Sequence, residues 1–299
     1  MASAIASLEG VHLLAKSSAP KIKADSEGVP SPLPSNPLVP PAQGSIPVAF
    51  PISDGAVIID FCGPWEVFEL AAAPGRGMGV FQTYTVAKTL KPITASGGMR
   101  IVPQYTFETA PAPKVIVIPA QNGADDAMRE WIRQSTKTTD VTMSVCTGVF
   151  VLASTGLLSG KSATTFHGAY ADFEAQYPDV QLKRGARFVE AGNLASAGGL
   201  TSGMDLAFRV VERYFGRAAA EKTAYTLEYQ GKGWMNADSN EIYTKPVIAS
   251  ADGQPLCVVC GMDTDRTISS VYKGKTYYFC VQEHKQLFDA NPQKFANQS

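Results

Sequence analysis

Two places in this 299-residue chain bring together residue types and spacings that chemistry can use. The first is Cys146, inside the run V-T-M-S-V-C-T-G-V-F-V-L-A-S-T-G over residues 141–156. Val141 to Val145 alternate as a short buried strand, Thr147 to Thr155 follow with helical apolar spacing, and the cysteine sits at the junction. A tight strand-to-helix turn pushes such a side chain outward. The unpaired N–H groups and positive dipole end of the helix then favour a thiolate and depress the thiol's pKa. Cys146 reads on this ground as a nucleophile, and the competing reading is a small buried hydrophobe. Asp60, in D-F-C-G-P-W-E-V-F, has two readings of its own: the cap of a helix with Pro64 at its first position, or a carboxyl aimed at the nucleophile. Cys62, two residues on, reads as a packed thiol.

The second place is the C-terminus, where C-V-V-C at residues 257–260 is followed by C-V-Q-E-H at residues 280–284. Cys-x2-Cys with Cys-x3-His supplies four soft or borderline ligands, a metal-binding pattern. Cys280 and His284 are spaced to share one face of a helix. Between the two pairs, S-V-Y-K-G-K-T-Y-Y-F reads as two short strands turning at Lys273-Gly274, which brings the pairs together. About forty residues need such a staple to hold a fold.

The elements that position these groups can be read in order. Ile46 to Ile52 and Ala56 to Ile59 read as short apolar strand segments. Tyr84 to Ala87, a Gly97-Gly98 turn and Met99 to Val102 suggest a strand and a hairpin. Val115 to Ile118 is a continuous apolar run, as expected of a parallel strand covered on both faces. Its C-terminal loop, Pro119 to Gly123, is where open α/β sheets place ligands. Ala124 to Ser135 reads as a helix, Ser162 to Phe166 as a strand and Ala169 to Tyr177 as a helix. His167, at that strand's end, reads as a hydrogen-bonded structural residue or as a base beside the substrate. Arg187 to Glu190 and Leu194 to Ala197 form a hairpin signal through Gly192-Asn193. The next helix has Met204, Ala207, Phe208, Val211 and Phe215 on one face, with Asp205, Arg209, Glu212 and Arg213 expected on the polar face opposite.

Composition bounds the rest. With 45% hydrophobic and 18% charged residues, the chain suffices for one good core and a small satellite. A formal charge of −1 gives no electrostatic reason to expect nucleic acid as a partner. No apolar run is long enough for a transmembrane helix. Five cysteines, three of them C-terminal, suit thiol and metal chemistry better than a disulfide framework. Seven prolines between Pro30 and Pro47 mark residues 1–45 as a disordered tail. Met1 to Ala15 lacks a basic n-region and a clear apolar centre, so the chain as it stands reads as cytoplasmic; an upstream export signal would make it periplasmic or exported. The domains expected are a main unit over 46–235, a linker over 236–250 and a metal-binding module over 251–299.

The run S-V-C-T-G-V-F-V-L-A-S-T-G-L-L-S-G-K-S-A-T-T-F-H resembles the ThiJ/PfpI family of the class I glutamine amidotransferase-like fold. D-F-C-G-P-W-E-V-F and S-A-G-G-L-T-S-G-M-D-L-A are similar to the branch containing isonitrile hydratase and the sensory domains of AraC-type regulators. The resemblance implies a doubly wound, flavodoxin-like α/β/α sandwich, usually a homodimer, acting on a small-molecule substrate without a cofactor. It also implies Cys146 as nucleophile, Thr147 as its neighbour and Asp60 as the acid at the thiol. A thiolate and a carboxylate at hydrogen-bond distance repel, so Asp60 is expected to keep its proton and serve as general acid. Thr147 and the Ala120-Gln121 loop are the expected backbone donors to a developing oxyanion. The family usually carries Gly-Gly where this chain has Ala120-Gln121, and its protease-like branch has His where this chain has Thr147. The expected activity is that of an isonitrile hydratase-like or glyoxalase-like lyase on an electrophilic carbon. The alternative is a non-catalytic ligand or redox sensor, or a soft-metal-handling protein.

C-G-M through Y-Y-F-C to F-D-A-N-P-Q-K-F resembles a YHS domain, a small α+β metal-binding module. The chain departs from that pattern at His284, where cysteine is usual, and at Cys257, where an acid is frequent. Cys257, Cys260, Cys280 and His284 are the implied ligands, with zinc or copper as the metal; three thiolates and an imidazole favour zinc.

Overall fold

Short apolar runs form the inner strands of a seven-stranded sheet, of which Val115–Ile118, with no exposed side chain, is the purest case. The structure, a computed structural model, describes residues 36–244, 253–264 and 266–296. From edge to edge the strands are Phe188–Ala191, Leu194–Ala197, Val141–Val145, Val115–Ile118, Ile46–Pro51, Phe81–Ala87 and Tyr105–Thr106. All pair in parallel except the first two, which form the hairpin predicted around Gly192-Asn193. The chain starts at the centre, winds to one edge and returns to wind to the other. The order therefore switches between Ile46–Pro51 and Val115–Ile118, where a doubly wound sheet opens a crevice.

Side chains alternate between two helical layers. Val115, Val117, Met143 and Val145 pack with helices α1 (Ile58–Glu69), α5 (Ser202–Phe215) and α6 (Arg217–Thr226). Ile116 and Ile118 face the other layer, α2 (Asp126–Thr136), α3 (Gly148–Ser154) and α4 (Tyr170–Gln176). This is the flavodoxin-like sandwich expected from the sequence.

Several local expectations are corrected. Residues 58–59 begin α1 and are not strand, so Pro64 lies inside the helix and Asp60 in its first turn; Val57 is the N-cap. Apolar Ala56 to Ile59 could not be told from a strand by periodicity alone. Pro64 has no N–H for the carbonyl of Asp60, which loosens the helix beside the acid. The strand expected over Ser162–Phe166 is only Ser162–Ala163, paired with Gln181–Leu182 outside the main sheet. Asp205, Arg209, Glu212 and Arg213, assigned to a polar outer face, are all buried because α6 and the chain after it cover that face. They are paired: Arg209 with Glu190 at 3.1 Å and Glu212 at 3.0 Å, Arg213 with Glu190 at 2.9 Å.

The predicted flexible segments are also shorter. Leu38 N–H donates to the Arg213 carbonyl at 2.8 Å and the Arg213 guanidinium donates to the Asn36 carbonyl at 2.8 Å, so residues 36–45 are tied to the body. Residues 236–244, expected as linker, contain buried Asn240, which receives a hydrogen bond from Arg187 at 3.1 Å. The remaining tail and linker residues, 1–35 and 245–250, lie outside the described residues, as do 251–252 of the expected module.

The C-terminal module is built on the expected hairpin, Ile268–Tyr272 with Lys275–Phe279. Its turn residues Lys273 and Gly274 have φ of 50° and 78°, the left-handed pair of a tight hairpin. Helices α7 (Gln282–Ala290) and α8 (Pro292–Ala296) close it over Phe279, Phe288 and Phe295. Cys280 lies two residues before α7, not on it. No helix among the described residues is long and apolar enough to cross a membrane.

Candidate active site and candidate metal centre

The thiol site begins with backbone geometry. Cys146 has φ of +56°, a left-handed conformation that a side chain with a Cβ adopts only under constraint. Three contacts impose it. Its N–H donates to the Gly198 carbonyl at 3.0 Å and its carbonyl accepts from Thr165 Oγ1 at 2.9 Å. Two residues on, Gly148 brings α3 against the neighbouring strand end: a Cβ there would stand 2.3 Å from the Ile118 carbonyl oxygen. The C-T-G order is thus a packing requirement as well as a chemical one. Leu200, with φ of +48°, approaches from the loop before α5.

The thiol itself is 7% exposed. Burial, and then the charge of nearby Asp60, push it up from 9.0 to about 11, against hydrogen bonds from the backbone of Thr147 and Leu200 and from the Thr147 side chain. The thiolate expected from the helix terminus is therefore not the resting state. Thr147 donates at the helix terminus and Leu200 adds a donor the sequence did not suggest, but α3 has only seven residues and desolvation outweighs them.

Asp60 is fully buried, and burial raises its carboxyl from 3.8 to about 7 against the hydrogen bond it accepts from Ala120 N–H at 3.1 Å through Oδ2. Oδ1 has no hydrogen-bond partner among the described residues. An acid in this state holds a proton through much of the neutral range; the sequence argument expected this from repulsion by a thiolate, whereas burial is what raises the carboxyl. It is not the helix cap: Val57 fills that position and Asp60 makes no capping bond.

The oxyanion loop is arranged differently from the expectation. The Ala120 N–H is committed to Asp60, and the Ala120 carbonyl accepts from Val57 N–H at 2.8 Å. The Gln121 side chain turns to the protein, accepting from Ser53 Oγ at 2.8 Å and donating to the Pro51 carbonyl at 3.2 Å. Ala120 thus orients the acid and Gln121 braces the switch-point crevice. Thr147 and Leu200 are the donors that reach the sulfur.

His167 is half-buried, held neutral by burial, and stacks on Tyr243 with centroids 5.3 Å apart and planes 19° apart. It makes no hydrogen bond to Cys146. With Phe166, Arg187, Leu200, Asn240 and Tyr243 it lines a cavity of about 170 Å³. Leu200 lines this cavity and its backbone also bonds the Cys146 sulfur. Sequence reading missed Tyr243 and Asn240, which sit in the presumed linker, and Arg187. Arg187 is held by Asp205 at 2.6 Å, by Asn240 and by Thr201 at 2.9 Å. The signal available was Trp234, a large aromatic just before the expected linker, which argues for packed rather than solvated chain there.

In the module, the ligand atoms of Cys257, Cys260, Cys280 and His284 lie within 4.8 Å of one another. Cys280 Sγ is 3.3 Å and Cys257 Sγ 3.5 Å from His284 Nδ1, and Cys260 Sγ is 3.5 Å from Cys280 Sγ. Ligands about 2.0–2.3 Å from a tetrahedral ion stand roughly 3.5–3.8 Å apart, so the four fit a metal. The Cys257 thiol is pushed down by its hydrogen bond from Cys260, and a thiolate is what metal binding requires. The hydrogen bond that closes this set comes from outside the module: His284 Nε2 lies 3.1 Å from Asp172 Oδ2 on α4.

Known proteins share both parts. Residues 258–299 match the YHS domain. The chain is 36% identical over 176 residues to isonitrile hydratase of Pseudomonas putida, covering 57% of this chain and 73% of that one. It is 25% identical over 187 residues to the HTH-type transcriptional regulator GbdR of Pseudomonas aeruginosa, covering 61% of this chain and half of the regulator. Among solved structures, the THiJ/PfpI family protein from Pseudomonas syringae superposes with a TM-score of 0.54 at 26% identity, over 63% of this chain and 77% of that one. Drosophila melanogaster DJ-1beta gives 0.54 at 18%, over 62% of this chain and all of that one, which speaks to the fold. With residues 47–213 matching as a unit, a stretch that contains the sheet, the Cys146 turn and Asp60, the chain belongs to the DJ-1/PfpI family.

Proposed function

We propose that the chain is a cysteine-dependent enzyme that adds water across a small electrophilic carbon, an isonitrile in the first instance. The observation that carries the proposal is Asp60: a buried carboxyl with one oxygen held by Ala120 and the other without a partner among the described residues, titrating at about 7 beside the Cys146 thiol. A thiol at about 11 needs a base as it attacks, and the product of attack needs an acid. Asp60 near neutrality can do both. The Cys146 sulfur bonds to the isonitrile carbon while its proton passes through Asp60 to that carbon, giving a thioimidate. Water then adds to the thioimidate carbon, the C–S bond breaks, the thiol regains a proton and an N-substituted formamide leaves. Thr147 and Leu200 hold the sulfur through the cycle, and the His167–Tyr243 stack offers an aromatic wall to an aryl substituent. The isonitrile hydratase relative points to the same substrate class.

The ligand set of the module suits structural zinc, held by Cys257, Cys260, Cys280 and His284 and supplying folding energy rather than a reaction step.

The match to the regulator favours a second reading, in which the same pocket binds a ligand without turning it over. One assay separates them. Purified full-length protein is given an aryl isonitrile, and separately methylglyoxal, and products are followed by chromatography. We expect the N-arylformamide from the wild type and a loss of roughly a thousandfold or more in Cys146→Ser. Saturable binding of the isonitrile with no product from the wild type selects the sensor.

A further inference from the structure

The metal set described above belongs to the module, yet its most specific polar contact does not. His284 Nδ1 faces the sulfurs of Cys257 and Cys280, and its other ring nitrogen, Nε2, faces Asp172 Oδ2 at 3.1 Å. Asp172 is 112 residues earlier in the chain, on α4 of the sandwich. A metal-binding histidine must present one nitrogen as a lone pair, and a carboxylate that takes the proton of the other nitrogen fixes both the tautomer and the ring plane. We propose that Asp172 is a metal-positioning residue, so that the sandwich completes the metal centre of the module.

Two neighbours on α4 support the placement. Ala171 is buried in the same apolar cluster as Cys257, Cys260, Phe279 and Phe288. Glu174 receives Lys294 of α8 at 3.2 Å while it is held on its own side by Arg184 at 2.8 Å. One short helix thus gives the module an apolar contact, an ion pair and the carboxylate on its ligand. The same stretch of chain reaches the thiol site: Thr165 holds the Cys146 carbonyl, His167 lines the cavity, and Asp172 follows five residues later. Metal loading and the position of α4 are therefore expected to depend on each other.

This inference rests on the reading that the cluster holds a metal, and the test keeps the two apart. Full-length protein, reduced and metal-free, is titrated with cobalt(II) against a competing chelator, and the thiolate-to-cobalt and d–d absorption bands are recorded. The wild type should take up one cobalt with tetrahedral bands. Asp172→Ala should bind cobalt roughly 10–100-fold more weakly with shifted d–d bands, and Asp172→Asn, which keeps the shape, should fall between. Glu174→Gln, which breaks the Lys294 pair without touching His284, should stay within about twofold of wild type with unchanged bands. No uptake by the wild type overturns the metal reading and this inference with it. Wild-type affinity and spectrum in both Asp172 variants overturns this inference alone. So does an equal loss in Glu174→Gln, because the effect would then belong to docking in general.

Discussion

The two cysteine sites of this chain are built in opposite ways. Around Cys146 the backbone makes the site: a left-handed residue, a glycine pressed against a carbonyl, and two loops holding a single thiol within a large core. Around Cys257, Cys260, Cys280 and His284 the ligands make the site, and the core beside them is little more than Val258, Tyr277, Phe279, Phe288 and Phe295. A site held by packing survives the loss of its reactive group, whereas a site held by ligands takes its surroundings with it. The difference also explains the thiols' chemistry. Burial pushes the Cys146 thiol up, while crowding of polar sulfur and imidazole lowers Cys257.

The largest expected effect follows from that contrast. Structural zinc contributes on the order of 10 kcal/mol to small domains, against an ordering cost of roughly 1–2 kcal/mol per residue for backbone alone. Under reducing conditions a chelator should render residues 253–296 sensitive to protease while residues 46–235 stay intact. Equal protease resistance with and without metal would make the four ligands ordinary packed side chains and erase the comparison.

The next effect probes the packed site through its acid. Asp60 binds a proton in the folded chain up to about pH 7 and in the unfolded chain only up to about 3.8. Between those values the folded state holds the extra proton, so this group's contribution to stability is full below about pH 4 and is lost as pH rises through 7. About three pKa units correspond to about 4 kcal/mol. Asp60→Asn cannot ionise and keeps an acceptor for Ala120 N–H. Its stability relative to wild type should therefore climb by about that amount from pH 4 to 8 in urea unfolding followed by tryptophan fluorescence. A flat difference would mean the carboxyl is not held in a desolvating site. The same variant should lose turnover at every pH.

Much of this was legible in the sequence because it rests on local patterns. Val115–Ile118 announced a doubly covered strand, Val141–Val145 with Cys146 announced the turn, and the cysteine spacing announced the Cys/His cluster that could hold a metal. What was not legible depends on which faces meet. Asp205, Arg209, Glu212 and Arg213 have the spacing of a solvated stripe, and the edge strand that carries Glu190, with α6 and the chain after it, makes them a buried ion-pair network. The Ala120-Gln121 loop looked like an oxyanion site because its donors are backbone, and backbone donors carry no sequence signature of the acceptor they will meet. Asp172 looked like any acid in a short helix; its partner is 112 residues away.

The smallest effect tests the glycine that packing alone requires. In Gly148→Ala the new methyl would meet the Ile118 carbonyl oxygen at 2.3 Å and the Pro119 carbonyl carbon and oxygen at 2.8 Å. These are backbone atoms at the end of a central strand, so they cannot step aside as a flexible side chain would, and α3 must shift outward. Overpacking of this kind costs roughly 1–3 kcal/mol. Displacing α3 also moves Thr147, whose backbone and side chain bond the Cys146 sulfur. The variant should thus unfold at lower urea and alkylate with iodoacetamide at a changed rate at Cys146, while cobalt affinity at the module stays as in wild type. Wild-type stability together with a wild-type alkylation rate would show that the strand end yields freely and that the turn is not held by packing.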